Sequence, residues 1–475
     1  MLAAIIGIVI MFGFGFLPPI DPITPMGMKV LGVFIGVIFL WSFCDLLWSS
    51  LLGIIALVIV GFAPLPRVVQ MSFGSSVPVL VLFALIFFGA ILNSGITRYI
   101  ARYFLTRKII NGRPAVFNFI FIYTAYILAA ISASILPPLI FMWAILYDVL
   151  KETGYKKGDA YSTIMVIGVF FGCISGQAAK PFTGSALMIV GAYEQVAQAQ
   201  IGYLQYMLFG FLMSTLGIIV YSLLIKYVFR PDMSGIANIS IEHFKREALP
   251  PMSTVQKIMG YALVAFFLLV LAPSFIPKSV PGIGLLAKIG PLGICILIIA
   301  AFCWIHVDGK PIINFKEIAS KYIVWDVYLL ICMAMVISAA MTAKGMGITE
   351  FITQYLSPIL GGHSFSIFVA VAIIFCVCIT QFANNGVMGV LFMPMLKVFA
   401  EQSGGSFEAT AVVLIFALHM AILTPAASPY AAFIYGNTEW IDKKDVLKYG
   451  FWLVGLSIAL FIFAGIPLMK IIYGY

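Results

Sequence analysis

Apolar stretches separated by short polar breaks run along the whole chain. A bilayer core about 30 Å thick is crossed by roughly 20 apolar residues in an α-helix, and most of these stretches approach that length. The pattern therefore predicts an all-α polytopic membrane protein. The predicted helices cover residues 1–17, 27–48, 51–63, 78–95, 160–193, 203–229, 258–272, 289–305, 324–343, 409–440 and 449–472.

Two further apolar stretches, 116–148 and 366–400, are each interrupted by a polar or proline-containing centre. Each arm is shorter than the roughly 20 residues that a crossing requires. We therefore predict that each stretch turns back within the membrane as a re-entrant hairpin. The helices that follow the hairpins, 160–193 and 409–440, are themselves broken by proline and small residues.

The composition excludes a soluble protein with a single anchor. Hydrophobic residues make up 63% of the chain and charged residues 9%, whereas soluble proteins carry about 25% charged residues. The first apolar run has no basic start and no small-residue cleavage site, so we predict a retained first helix. The seven cysteines lie in apolar segments without metal-ligand spacing and predict no disulfide framework.

The net charge of +9 is attributed to basic cytoplasmic loops and not to nucleic-acid binding. Cytoplasmic loops of membrane proteins collect Lys and Arg. Most of the 27 basic residues fall in five loops that we therefore predict to be cytoplasmic, which are 98–113, 150–158, 226–257, 306–321 and 441–448. This orientation places the N-terminus in the cytoplasm and the protein in the cell membrane. The charge pattern alone does not distinguish a re-entrant hairpin from a double crossing.

A short amphipathic segment at 94–104 recurs at 346–356. Each copy follows a membrane helix and precedes a hairpin and a broken helix, and the two copies fall on opposite sides of the membrane. We therefore predict two inverted repeats, residues 1–230 and 258–475, joined by a cytoplasmic linker at 231–257. Inverted repeats with broken helices are typical of secondary transporters. Irregular backbone at membrane depth requires cover by protein or a water-filled cavity, so the four breaks should meet near the midplane.

The second hairpin carries Asn384, Asn385 and Gly386 at its centre. Amides in an apolar stretch are costly unless they are paired. They offer N–H groups to an anion and C=O groups to a cation, although Asn and Gly also suit the cap of a tight turn. In the following break, Pro425 and Pro429 free backbone carbonyls that can bind Na⁺, and a new helix N-terminus attracts an anion.

The first half has a different chemistry at the matching places. Its hairpin centre, 131–138, ends in two prolines and has no Asn. Its helix break, 177–185, places Lys180 and Pro181 where the second half has Thr424 and Pro425.

At these four positions the chain resembles the divalent anion/sodium symporter family, the carriers of di- and tricarboxylates and sulfate. That family has a Ser-Asn-Thr tip on each hairpin and a Thr-Pro-rich break after it. The match is closest over 380–394 and 424–429, whereas the first half lacks the tip Asn and has Lys180 in place of Thr. The resemblance implies about eleven membrane helices, two hairpins, a homodimer and an elevator-like motion.

The residues at the breaks are the candidate site. We predict that the solute binds to Ser134, Lys180, Thr183, Ser185, Asn384, Asn385, Gly386, Thr424 and Ser428. The candidate ligands for Na⁺ are Thr380, Ala383, Asn385 and Ala426. No other cofactor is predicted, and the expected partners are a small anionic solute, membrane lipid and a second copy of the chain.

Lys180 is the most unusual of these residues, because a Lys near the bilayer centre costs about 2.5–3.5 kcal/mol on insertion scales. The family resemblance implies a Na⁺ beside the solute in the first half, and our hypothesis is that the Lys180 ammonium takes its place. It would complete the anion site permanently or lose its proton to couple transport to H⁺, and a structural pairing is the alternative. We interpret His419 as a packed histidine, with a proton relay as the alternative.

The predicted function is a secondary carrier of carboxylate-type anions that is Na⁺-coupled or exchanging. The alternatives are a carrier of other anions or of arsenite, a cation/proton antiporter, and an uncoupled channel. Few carboxylates lie in the apolar helices, which argues against the antiporter. An integral-membrane enzyme requires clustered His, Asp or Cys, and four scattered histidines argue against one.

Overall fold

The computed structural model describes residues 2–237, 249–277, 279–360, 364–382, 384–425, 427–437 and 440–474. The helices up to residue 224 are α1 (Leu2–Gly13), α2 (Pro25–Phe43), α3 (Leu46–Ile59), α4 (Leu65–Ser72), α5 (Ser76–Asn93), α6 (Ile96–Leu105), α7 (Pro114–Ala130), α8 (Leu136–Glu152), α9 (Ala160–Ala178), α10 (Gly184–Ala197) and α11 (Tyr203–Leu224). After them come α12 (Ser234–Ala237), α13 (Thr254–Phe275), α14 (Ile283–Trp304), α15 (Phe315–Tyr322), α16 (Trp325–Met341), α17 (Ile348–Leu360), α18 (Phe365–Ile379), α19 (Asn385–Gln402), α20 (Phe407–His419), α21 (Pro429–Gly436), α22 (Lys443–Leu460) and α23 (Ile466–Tyr473).

The predicted all-α polytopic class is confirmed. Seven helical spans within the described residues are long and apolar enough to cross a membrane, and α15 with α16 forms an eighth that is bent by 77°. π-helical turns at Ile225–Phe229 and Phe461–Gly465 extend α11 and link α22 to α23. The only described strands, β1 (His306–Val307) and β2 (Lys310–Pro311), pair antiparallel in the loop after α14.

The predicted helix end at residue 48 is wrong because a helix cap lies before that residue. The predicted helix 27–48 ends at Phe43. The Asp45 carboxylate accepts hydrogen bonds from the backbone N–H groups of Leu47, at 2.9 Å, and Trp48, at 3.1 Å. An aspartate in this position caps the start of a new helix, so α3 begins directly after it.

The helices are interrupted at all four places where the sequence predicts a hairpin tip or a helix break, and the re-entrance of the two hairpins stays a prediction. Hairpin 1 is α7 and α8 with its tip at 131–135, and break 1 is the segment 179–183 between α9 and α10. Hairpin 2 is α18 and α19 with its tip at 380–384, and break 2 is the segment 420–428 between α20 and α21. The recurring amphipathic segment forms α6 in one half and α17 in the other. The opposite orientation of the halves stays a prediction.

The hairpin arms are somewhat longer than the sequence suggested. They contain 17, 17, 15 and 18 residues, which at 1.5 Å per residue is roughly 22–27 Å. That length is still below the about 30 Å of a bilayer core.

The broken helices lie in the centre of the main hydrophobic core. All residues of α9 except its first, and all residues of α20 except Glu408, are buried. A helix that is apolar on every side and fully buried is enclosed by other protein elements. Break 1 is buried throughout, whereas break 2 is half-buried at Leu423 and Thr424 and exposed at Pro425.

Candidate functional site

Lys180 joins break 1 to the tip of hairpin 1. Its Nζ donates a hydrogen bond to the backbone carbonyl of Ser132 and lies 4.4 Å from the centre of the Phe88 ring. The side chain is only 2% exposed, and no Asp or Glu of the described residues pairs with it. An ammonium has three donors, so one carbonyl and a cation–π contact leave part of its hydrogen-bonding capacity for another partner.

The other first-half candidates make no hydrogen bond to Lys180 within the described residues. The Ser134 hydroxyl stays within its own tip, where its oxygen lies 3.5 Å from the backbone N–H of Leu136. Thr183 directly precedes α10, and its hydroxyl is buried. The structure therefore places Ser134 in the turn of hairpin 1 and Thr183 at the start of α10.

Ser185 links the two halves through His419. The Ser185 hydroxyl oxygen lies 2.8 Å from His419 Nε2, and His419 Nδ1 lies 2.7 Å from the carbonyl oxygen of Ile415. A carbonyl only accepts hydrogen bonds, so Nδ1 carries the hydrogen and Nε2 of the neutral ring accepts from Ser185. His419 is packed, as we interpreted it, but its ring also bonds a predicted solute-binding residue.

Gly386 brings hairpin 2 against the start of α10. A Cβ atom at this position would lie 3.3 Å from Cβ of Ser185 and 3.0 Å from Sδ of Met188. The absence of a side chain therefore permits this close approach. Gly386 and Ser185, which were predicted independently from the two halves, are neighbours in the structure.

A second contact between the halves runs through Gln177, which the sequence did not single out. Its Nε2 donates to the Tyr430 hydroxyl at 3.2 Å, which joins the end of α9 to α21. Its Oε1 and the hydroxyl of Thr183 are buried and have no hydrogen-bond partner among the described residues. An unpaired buried polar group costs about 1–3 kcal/mol, so a donor or cation bound here would be stabilised.

Asn384 and Asn385 use their oxygens to cap α19. Asn384 Oδ1 accepts from the backbone N–H groups of Gly386, at 3.0 Å, and Val387, at 3.4 Å, while Asn385 Oδ1 accepts from that of Gly386 at 2.9 Å. This is the turn-capping role that the sequence left open. The Nδ2 donors of both side chains have no partner within the described residues, which leaves N–H groups for an anion.

Gln381, which was not among the predicted site residues, makes the main hydrogen-bonded connection between hairpin 2 and break 2. Its Nε2 donates to the carbonyls of Val377, at 2.7 Å, and Met420, at 2.6 Å. Its Oε1 accepts from the backbone N–H groups of Ile422, at 3.1 Å, and Leu423, at 3.0 Å. An amide inside an apolar run was the signal that indicated Asn384, and it applies equally to Gln381.

Two predicted threonines reinforce this connection. The Thr424 hydroxyl donates to the backbone carbonyl of Gln381, and the Thr380 hydroxyl donates to that of Leu418 at 2.9 Å. Each bond runs between hairpin 2 and the end of α20 or break 2. Both side chains therefore hold the second-half site together.

The remaining second-half candidates are a helix cap and two residues that are not described. The Ser428 hydroxyl accepts from the backbone N–H of Ala431 at 3.0 Å and caps α21. Ala383 and Ala426 lie outside the described residues. The assignment of Thr380, Asn385 and these two alanines to Na⁺ therefore stays a prediction.

Cavities of very different size lie where each hairpin meets the rest of the protein. The first-half cavity has a volume of about 490 Å³ and is lined by α5, α6, hairpin 1, α13 and α15. The second-half cavity is lined by α2 and by the corresponding elements α16, α17 and α19, and its volume is about 10 Å³. Of these two cavities, only the one beside hairpin 1 is large enough for a small molecule.

Comparison with known proteins identifies the family and a similar fold. The family model described as the sodium:sulfate symporter transmembrane region matches residues 1–473. Among solved structures, the YdaH transporter of Alcanivorax borkumensis, reported to have an unusual topology, is similar with a TM-score of 0.57 and 16% identity. The similarity covers 84% of this chain and 88% of that one, and at this identity it shows the fold alone. A search among curated proteins finds no significant match. Since the family model spans nearly the whole chain, this protein belongs to the sodium:sulfate symporter transmembrane family, which confirms the resemblance to the divalent anion/sodium symporters.

Proposed function

We propose that this protein is a secondary active carrier that moves small organic anions of the di- or tricarboxylate type across the cell membrane. Membership of the symporter family supports transport of an anion. The chemistry of the breaks supports it independently, because the Nδ2 groups of Asn384 and Asn385 and the ammonium of Lys180 are hydrogen-bond donors at or beside the breaks. The protein works as a homodimer in this proposal, with its N-terminus in the cytoplasm.

Lys180 carries the more specific part of the proposal. Its Nζ bonds a backbone carbonyl at the tip of hairpin 1, and backbone carbonyls are also ligands that Na⁺ takes at broken helices. We therefore assign the ammonium the place of one Na⁺ in the first half. A fixed charge in this place attracts the anionic solute without first capturing an ion, so the carrier depends less on Na⁺ and is suited to exchange.

The difference between the two cavities supports an elevator-type movement. Alternating access requires that a path be open on one side of the site and closed on the other. Here the interface of α5, α6 and hairpin 1 contains a large cavity, whereas the related interface of α16, α17 and hairpin 2 is nearly filled. Movement of the hairpins and breaks against the other helices would close the cavity at hairpin 1 and open one at hairpin 2.

Transport in proteoliposomes tests the role of Lys180. Uptake of radiolabelled succinate, citrate and sulfate is measured in counterflow, with Na⁺ or with choline as the only external cation. We expect the native protein to take up an organic anion in choline. We expect Lys180→Thr, which restores the residue type of the family, to reduce that uptake at least about 100-fold and to recover part of it in Na⁺.

Lys397→Thr is the matched control, because Lys397 also donates to a backbone carbonyl, that of Val196 at 3.1 Å, but lies at the far end of α19. It should retain uptake in choline. Native uptake that requires Na⁺ strictly and is unchanged in Lys180→Thr would contradict the assignment of Lys180. Uptake of sulfate alone would instead contradict the assignment of the solute to organic acids.

A further inference from the structure

The first-half cavity has a positively charged lining. Its charged residues are Arg98 at the start of α6 and Lys321 at the end of α15, and no Asp or Glu belongs to the lining described by the structure. Both cations are exposed. A concave surface with one sign of charge concentrates ions of the opposite sign and raises the rate at which they bind.

Lys321 is held in position by a polar pair. Its Nζ donates to Oδ1 of Asn93 at 2.9 Å, and the Tyr322 hydroxyl donates to the same oxygen at 3.2 Å. Because Asn93 is neutral, it orients the ammonium without cancelling its charge. Two of the three donors of the ammonium remain available.

Arg98 adds a second cation that is not neutralised. Its guanidinium has no hydrogen-bond or ion-pair partner in the described part of the chain. A guanidinium presents five N–H donors in a planar arrangement that matches the two oxygens of a carboxylate. Arg98 and Lys321 therefore supply a planar guanidinium and a compact ammonium to the same cavity.

The cavity also reaches the solute site. Ser132, whose carbonyl binds Lys180, belongs to its wall, as do Pro137 and Pro138 of hairpin 1. One residue of the hairpin 1 tip, Ser132, therefore touches both the cavity and the buried ammonium. The second-half cavity offers no such feature, because its described lining contains no charged residue.

We propose that Arg98 and Lys321 form a docking site where the anionic solute binds before or after it occupies the site beside Lys180. This inference rests on the proposed function, which supplies the anion. The volume of about 490 Å³ is within the range of small-molecule sites and accommodates a di- or tricarboxylate with water. The docking site lies on the side that carries most of the basic loops, which is the predicted cytoplasmic side.

The test uses a thiol placed in the cavity wall, so that it does not depend on transport. Ser94 lines the cavity, and Ser94→Cys preserves its size. The rates of modification by the anionic reagent sulfonatoethyl methanethiosulfonate and by its cationic trimethylammonium analogue are compared. Modification is counted as the increment over the unsubstituted protein, because Cys44 and Cys378 are exposed.

We expect the anionic reagent to react about tenfold faster than the cationic one at low ionic strength, and the ratio to fall as salt is added. Arg98→Gln with Lys321→Gln in the Ser94→Cys background should bring the ratio close to one. Lys316→Gln is the matched control, because Lys316 lies on the same helix but outside the cavity lining, and it should leave the ratio unchanged. Succinate or citrate should slow the anionic reagent only when Arg98 and Lys321 are present.

Transport gives a second readout. In proteoliposomes of known orientation, Arg98→Gln with Lys321→Gln should raise KM about fivefold or more for anion entering from the side of α6, with little change in the maximal rate. The KM from the other side should not change. A reagent ratio that is unaffected by the two substitutions would overturn the docking site even if the protein transports anions. An intact ratio in a protein that transports none of the tested anions would instead count against the proposed function.

Discussion

The side chain that makes the main hydrogen-bonded connection between hairpin tip and helix break differs between the two halves of the protein. In the first half the connection is the ammonium of Lys180, which reaches from break 1 to one carbonyl of hairpin 1. In the second half it is the amide of Gln381 on hairpin 2, which makes two bonds to break 2 through its oxygen and one to Met420 through its nitrogen. Hairpin and broken helix are thus connected by an ammonium in the first half and by a neutral amide in the second half.

The difference between Lys180 and Gln381 predicts a structural role for one side chain and a functional role for the other. A neutral amide with all of its hydrogen bonds made is a structural connection, because any change leaves buried backbone groups unpaired. A buried charge with one carbonyl partner contributes little to stability, since its desolvation offsets the gain from its contacts. In the proposed function, the Lys180 ammonium therefore remains available to an anionic solute, while Gln381 keeps hairpin 2 and break 2 together.

The largest loss of stability is expected for Gln381→Leu. The substitution removes the partners of two backbone N–H groups and two carbonyls in a buried region. We expect the free energy of unfolding to fall by about 2–4 kcal/mol, which is measured as a lower thermal unfolding midpoint of the purified protein. Gln200→Leu, at an exposed position, is the control and should change the midpoint little. An unchanged midpoint in Gln381→Leu would remove the contrast between the halves.

A smaller loss is expected for Ser185→Ala, which removes the hydrogen bond between α10 and His419. We expect about 1 kcal/mol in the same measurement. Ser222→Ala is a matched control, because Ser222 is also buried but donates only within its own helix, to Ile218 at 2.8 Å. Equal losses in both variants would show that the bond to His419 does not hold the halves together.

The smallest change in stability is expected for Lys180→Met, although transport should be lost. Met retains most of the length of the side chain and removes both the charge and its bond to Ser132. These effects oppose each other, so the free energy of unfolding should stay within about 1 kcal/mol of the native value. A loss as large as that of Gln381→Leu would mean that Lys180 is a structural connection like Gln381.

The sequence predicts the architecture well, because the spacing of apolar stretches is set by the thickness of the bilayer and the breaks are marked by Pro, Gly and Asn. It predicts partners less well. Asn384 and Lys180 stand out by residue type, but the acceptor that faces Lys180 is the backbone carbonyl of Ser132, and a backbone carbonyl cannot be recognised from residue type. Gln177 and Gln381 were missed because long amides also occur at helix surfaces. Only packing shows that Gln177 joins α9 to α21 and that Gln381 joins hairpin 2 to break 2.

The 490 Å³ cavity beneath hairpin 1 has a consequence for the energetics of the cycle. At about 30 Å³ for each molecule of liquid water, it holds on the order of 15 waters, whereas its counterpart in the other half has no room for more than one. In the proposed elevator movement, sealing the cavity is therefore a dehydration step. Its equilibrium depends on the activity of water as well as on the solute, so that an osmolyte excluded from the cavity shifts the carrier toward its sealed form.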